Sequence, residues 1–123
     1  MISKDLARRF AHEWIEAWNS HDLEKILAHY SDDFEMTSPF IVTIMNDPAG
    51  TIKGKLNVKA YWEKALSHAP DLRFEPIETL WSVNTVTIYY KSSRLGQSRL
   101  AAEVFFFDAE GKVNKAVAHY NEA

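Results

Sequence analysis

Large apolar side chains recur at every fourth position near the start of the chain. Four of them share this spacing, which places them on one face of an amphipathic helix: Leu6, Phe10, Trp14 and Trp18. Ser3 precedes the first of them and is a residue type that caps helix N-termini. The pattern therefore predicts a helix that begins after Ser3 and ends where Asn19 interrupts the spacing.

Helical spacing returns twice further along the chain. A short helix is predicted from about Asp22 to His29, and a third from Gly54 to Ala69, where a proline ends it. Phe34–Ser38 is typical of a strand that ends before a proline. Residues 39–53 contain a short apolar run and then turn-forming residues, a pattern that favours a strand or a loop.

After Pro70 the pattern changes to segments rich in β-branched and aromatic residues. Four strands are predicted, at Leu72–Trp81, Thr85–Lys91, Arg99–Phe107 and Val113–Asn121. The segments between them are short enough for hairpins. Three N-terminal helices followed by this antiparallel meander predict an α+β fold with the helices packed on one face of the sheet. The length fits a single domain that covers residues 1–123.

Composition argues against several classes of function. The formal net charge is −3, so the chain lacks the cationic surplus of a nucleic-acid-binding protein. The absence of cysteine excludes disulfides and cysteine nucleophiles. The histidines lack metal-ligand spacing, and no apolar run is long enough for a membrane span. We therefore expect a cytoplasmic protein that uses no metal or cofactor and binds neither nucleic acid nor membrane.

Aromatic content is the unusual feature, because Phe, Trp and Tyr make up 13% of the residues. Large side chains at helical spacing usually form a core, but buried indole and phenol groups need polar partners. Several such groups in one small domain also suit the wall of a pocket. The pattern leaves these two alternatives open.

Short motifs along the chain resemble those of one protein superfamily in their order and spacing. Glu13–Leu23 has the sequence E-W-I-E-A-W-N-S-H-D-L, and Ser31–Phe34 is an S-D-D-F turn. Gly54–Trp62 carries a glycine, then apolar and aromatic residues at helical spacing, and Phe107–Val113 looks like a final hairpin. This arrangement is similar to the nuclear-transport-factor-2-like superfamily, especially its SnoaL-like and ketosteroid-isomerase-like branches.

The resemblance implies a strongly curved, mostly antiparallel sheet wrapped around three helices. This sheet forms a cone whose open end holds a small, largely apolar ligand, and no cofactor is implied. The fold by itself assigns no reaction, because it carries many different activities. We expect eight side chains to line or flank the ligand site: Trp14, Trp18, Tyr30, Ser38, Trp62, Tyr90, Phe105 and Tyr120.

Ketosteroid isomerases place an aspartate base, a tyrosine and a carboxylic acid in this pocket. In this chain Ser38 stands before Pro39 at the position of the base, and Trp14 stands at the position of the tyrosine. A serine hydroxyl without an activating partner is no general base at neutral pH, and an indole N–H cannot transfer a proton as an acid. Glu103 alone keeps the chemistry of its counterpart, so steroid isomerisation by that mechanism is not expected.

Glu103 is the one ionisable residue in the strand segment Leu100–Phe107. A buried carboxylate must be paired, reach water or take up a proton. Three outcomes are open: an ion pair with Arg99 or Arg73, an exposed position on the sheet, or a desolvated carboxyl in the pocket with a raised pKa. The third outcome makes Glu103 the candidate acid or base.

Three functions are compatible with the sequence. The first is an enzyme that isomerises, cyclises or dehydrates a small apolar or aromatic metabolite with Glu103 as its acid or base. The second is a module that binds such a ligand without changing it, and the third is a structural homodimer. Strand alternation directs five residues away from the pocket and so offers a face for a twofold dimer: Ala102, Val104, Phe106, Val117 and His119.

Overall fold

A curved six-stranded sheet and four helices make up the structure, a computed structural model that describes residues 1–122. The helices are α1 (Lys4–Asn19), α2 (Leu23–Leu27), α3 (Pro39–Ile44) and α4 (Lys55–His68). The strands are β1 (Tyr30–Thr37), β2 (Thr51–Lys53), β3 (Arg73–Trp81), β4 (Thr85–Arg94), β5 (Gln97–Phe107) and β6 (Val113–Tyr120). The strand order is β2-β1-β6-β5-β4-β3, in which β1 and β6 run parallel and the other neighbours antiparallel. The predicted α+β fold is confirmed.

The segment 39–53 differs from its prediction as a strand or loop. It forms helix α3 and the short strand β2, so the chain has four helices within residues 1–122 and not three. Pro39 is the first residue of α3, where a missing N–H costs no hydrogen bond. The Ser38 hydroxyl caps the helix by accepting a hydrogen bond from the Phe40 N–H at 3.2 Å. The apolar run that follows is too short for its periodicity to distinguish a helix from a strand.

Side chains at both ends hold helix α1 in place. The Ser3 hydroxyl accepts a hydrogen bond from the Leu6 N–H at 3.1 Å, as its predicted role as a cap requires. At the other end, the Asn19 side chain forms two hydrogen bonds with the backbone of Phe74 on β3, at 2.7 and 2.9 Å. These bonds fix α1 against the edge strand, and Trp14 and Trp18 both pack on the Phe74 ring.

Residues of β5 alternate between the two faces of the sheet. Ala101, Glu103 and Phe105 are buried, whereas Ala102 and Val104 are partly exposed on the outer face. The predicted alternation is therefore confirmed. The other residues expected on the outer face follow the same pattern, because Phe106 and Val117 are partly exposed and His119 is exposed. The homodimer expected through this face stays a prediction.

Candidate functional site

A cavity of about 80 Å³ lies between the helices and the concave face of the sheet. Aromatic residues of α1, α4 and the long strands supply seven of its seventeen lining residues, and Ser92, Glu103, Arg94 and Arg99 add polar groups. The volume is near half that of a core cavity of about 150 Å³ that accepts benzene. The cavity as it stands therefore suits a small ligand and not one the size of a steroid.

The structure brings most of the candidate residues to this cavity. Six of the nine line it: Trp14, Trp18, Trp62, Tyr90, Glu103 and Tyr120. They come from α1, α4, β4, β5 and β6, so the site exists only when the helices are packed in the sheet.

Tyr30, Ser38 and Phe105 lie beside the cavity and are not part of its wall. All three are at most 1% exposed. Phe105 packs edge-on against Trp14, with ring centroids 5.2 Å apart, and Ser38 caps α3. Their positions support the wall, whereas their predicted direct role in ligand binding stays a prediction.

Three tryptophans form a continuous aromatic surface along the cavity. The Trp18 ring lies 6.1 Å from Trp14 and 5.3 Å from Trp62, measured between ring centroids. The Trp14 indole donates a hydrogen bond to the Tyr30 hydroxyl at 2.9 Å. The Trp18 indole N–H is buried and has no acceptor within residues 1–122. One polar donor at this wall therefore has no partner in the described part of the chain.

Glu103 is a buried carboxyl, 4% exposed, in the cavity wall. Burial raises its pKa to about 8, because removal from water disfavours the charged form. Hydrogen bonding with the Tyr90 hydroxyl opposes this rise without cancelling it. Within residues 1–122 Glu103 forms no ion pair, so the alternatives of a bond to Arg99 or Arg73 and of an exposed position are both wrong. At neutral pH the carboxyl is mainly protonated.

Three tyrosine hydroxyls accompany Glu103 in the wall, on Tyr61, Tyr90 and Tyr120. Burial raises the pKa of each, to about 12 for Tyr61, and the charge that Glu103 carries when ionised raises all three further. These phenols therefore stay protonated at physiological pH and can donate hydrogen bonds. The site combines a carboxyl that titrates near neutrality with hydroxyl donors that do not.

Sequence reasoning missed several residues of the wall. Tyr61, Ala65 and Ala69 are four residues apart, a spacing that places them on one face of a helix and could have indicated that they line the same wall. Arg94 lies four residues after Tyr90 on β4 and faces the same side of the sheet. The predicted strand ends at Lys91, and extending its alternation to Arg94 would have placed this side chain in the wall. Phe40 on α3 carried no signal, because its segment was not predicted to be helical.

Replacing Tyr90 with phenylalanine is expected to raise the pKa of Glu103 further. The Tyr90 hydroxyl stabilises the ionised carboxylate, and its loss leaves the desolvation that favours the protonated form. Carbon-13 NMR titration of the Glu103 carboxyl measures this change. Tyr89→Phe is the matched control, since Tyr89 precedes Tyr90 on β4 and points to the outer face. An unchanged or lower pKa in the Tyr90→Phe protein would contradict the arrangement.

Within residues 1–122, no group of three or more His, Asp or Glu side chains is placed to hold a metal ion. None of the described helices has both the length and the apolar character of a membrane-spanning helix.

Similarity to known proteins agrees with this architecture. A family model of the SnoaL-like domain matches residues 11–119. The chain belongs to the SnoaL-like family. A SnoaL-like protein of unknown function from Burkholderia thailandensis is 51% identical to it, with 97% of each chain covered and a TM-score of 0.90. None of the curated proteins matches this SnoaL-like chain.

More distant structures share the fold of this SnoaL-like protein. An NTF2-like protein of unknown function from Cytophaga hutchinsonii is 15% identical, with 98% of this chain and 95% of that chain covered and a TM-score of 0.73. A protein provisionally named ketosteroid isomerase, from Kribbella flavida, is 14% identical, with 95% and 78% covered and a TM-score of 0.76. The family model and the 51% identical relative confirm the predicted SnoaL-like membership, and these two more distant likenesses show a shared NTF2-like fold alone.

Proposed function

We propose that this SnoaL-like protein binds a small, mainly apolar or aromatic molecule in the cavity and catalyses proton transfer on it. Glu103 is the acid or base, in an isomerisation, cyclisation or dehydration that needs no cofactor. The observation that carries this proposal is the buried Glu103 carboxyl, which forms no ion pair within residues 1–122 and whose pKa of about 8 allows both protonation states near neutral pH.

The proposed chemistry is proton transfer next to a carbonyl group. The ionised Glu103 carboxylate removes a proton from the carbon beside the carbonyl, and the electron pair of that C–H bond moves toward the carbonyl oxygen. Tyr120, which stays protonated, donates a hydrogen bond to the oxygen as it becomes negative, while Tyr90 remains hydrogen-bonded to Glu103. The protonated Glu103 then returns the proton to another atom, which completes an isomerisation. Cyclisation and dehydration can begin with the same proton removal.

Deuterium exchange with a small ketone tests this function. Cyclopentanone in D2O exchanges the protons beside its carbonyl, and proton NMR follows the loss of their signals. We expect the wild-type protein to accelerate the exchange above the buffer rate, increasingly as pH rises through about 8, because the carboxylate is the base. Glu103→Gln is expected to return the rate to that of buffer, and the exposed Glu63→Gln is the control.

Binding of a small ligand without catalysis is the second candidate. The small volume of the cavity limits the size of the ligand in either case. Three tryptophans in the wall report occupancy through their fluorescence. A protein that binds cyclopentanone but exchanges its protons no faster than Glu103→Gln does would be a ligand-binding module. A protein that neither binds nor exchanges it would favour the structural homodimer. The dimer and the cytoplasmic location stay predictions.

A further inference from the structure

Two arginines at one end of the cavity are not used by the proposed proton transfer. Arg94 and Arg99 are half-buried, and both line the cavity. Their guanidinium carbons lie 5.5 and 4.7 Å from the centre of the Phe40 ring on α3. Two cationic groups therefore flank one aromatic ring in a chain whose net charge is −3.

Strand alternation explains why both arginines face inward. On β4 the inner face carries Tyr90, then Ser92, then Arg94, and on β5 it carries Glu103, then Ala101, then Arg99. Ser92 and Arg99 are partners across the two strands. Polarity along the inner face thus changes from apolar rings through hydroxyl groups to cations toward the hairpin that joins β4 and β5.

These cations have no acidic partner in the described part of the chain. Within residues 1–122 neither Arg94 nor Arg99 forms an ion pair with a carboxylate. Within the same residues, Arg99 donates one hydrogen bond, to the backbone oxygen of Glu122 at 3.4 Å. The charge of Arg94 acts toward the interior, because it lowers the pKa of the Tyr61 phenol in the cavity wall.

We propose that Arg94 and Arg99 bind a carboxylate group of the ligand at this end of the cavity, while the ring of the ligand extends toward Glu103. The proposal rests on the proposed ligand-binding function and narrows the ligand to a small aromatic or cyclic carboxylate. A guanidinium matches the planar geometry of a carboxylate and binds it through two parallel hydrogen bonds. Arg99 precedes Glu103 by four residues on one strand face, roughly 13 Å between their backbones, so the two side chains would contact different ends of one ligand.

A pair of isosteric probes tests the charge requirement directly. Benzoate and benzamide have nearly the same shape, but only benzoate carries a negative charge at neutral pH. Their dissociation constants are measured by tryptophan fluorescence for the wild-type protein, Arg94→Met, Arg99→Met and the double variant. Arg9→Met is the control, because Arg9 is exposed on α1. Thermal unfolding of each variant shows whether loss of the Phe40 contacts has changed the fold.

We expect the wild-type protein to bind benzoate about tenfold to a hundredfold more tightly than benzamide, the range for hydrogen bonds to charged groups. Each single variant is expected to reduce this ratio and the double variant to abolish it, with benzamide affinity changing much less than benzoate affinity. Arg94→Lys is expected to restore part of the preference.

Two results would overturn the proposal and separate it from the proposed function. Equal affinity for both probes in the wild-type protein, or a benzoate preference that survives in a folded double variant, would reject the carboxylate site. Benzamide binding and ketone exchange would still support the proposed function in that case. If neither probe binds, the carboxylate site is rejected as well, and the ketone exchange experiment decides the proposed function independently.

Discussion

Replacing Glu103 with glutamine is expected to stabilise the protein at neutral pH and to change its stability little in acid. The pKa of Glu103 is about 8 in the folded protein, against 4.5 for a free carboxyl. Between these values the unfolded chain releases the proton that the folded protein keeps. The free energy of unfolding of the wild-type protein therefore decreases as pH rises from 4.5 to about 8.

Glutamine removes this dependence because it does not ionise in either state. At pH 7 the difference in unfolding free energy between Glu103→Gln and wild type is expected to be about 3 kcal/mol, in favour of the variant. Urea denaturation at a series of pH values measures it. The exposed Glu63→Gln variant is the control and is expected to follow the wild type. A constant difference between Glu103→Gln and wild type across the pH range would contradict a buried, protonated carboxyl.

Replacing Trp14 with alanine is expected to destabilise the protein by about 3–5 kcal/mol, the range for removing a large buried aromatic side chain. Trp14 is 1% exposed, and its ring centroid lies within 5.4 Å of those of Phe74, Tyr90 and Phe105. The substitution also removes the donor that pairs with the buried Tyr30 hydroxyl. Calorimetric unfolding measures the loss.

Two further variants separate packing from hydrogen bonding at this position. Trp81→Ala is the matched control, because Trp81 is 37% exposed at the end of β3 and its loss is expected to cost much less. Tyr30→Phe keeps the ring and leaves the Trp14 N–H unpaired, which is expected to cost about 1–3 kcal/mol. If Trp14→Ala cost no more than Trp81→Ala, Trp14 would not be part of a packed core.

The fold could be predicted from the sequence where apolar residues recur with one regular spacing along a long segment. The four-residue spacing of apolar side chains in α1 predicts that Trp14 and Trp18 lie on its buried face, and the alternation of β5 predicts that Glu103 lies on the inner face of the sheet. The third helix of the chain, α3, could not be predicted, because its six residues make fewer than two turns of helix.

The candidate site could be predicted only in part. Glu103 could be predicted because a carboxyl in an apolar strand must be paired with another group or protonated. Phe40 could not, because a phenylalanine in an apolar segment is compatible with many positions in a fold. The pairing of Trp14 with Tyr30 depends on how side chains fill three dimensions, and spacing along the chain does not encode it. The size of the cavity cannot be predicted from spacing either, because the rotamers of aromatic rings from six elements together determine it.

The parallel pairing of β1 with β6 has a consequence for how the chain folds. β1 begins at Tyr30 and β6 ends at Tyr120, so the sheet joins segments that are synthesised far apart in time. Such distant contacts require closure of a long loop and slow the folding reaction. Until β6 emerges from the ribosome, the edges of β1 and β5 that it will cover stay open to mispairing with other chains. The wall of the cavity is therefore incomplete in a nascent chain until β6 adds Tyr120.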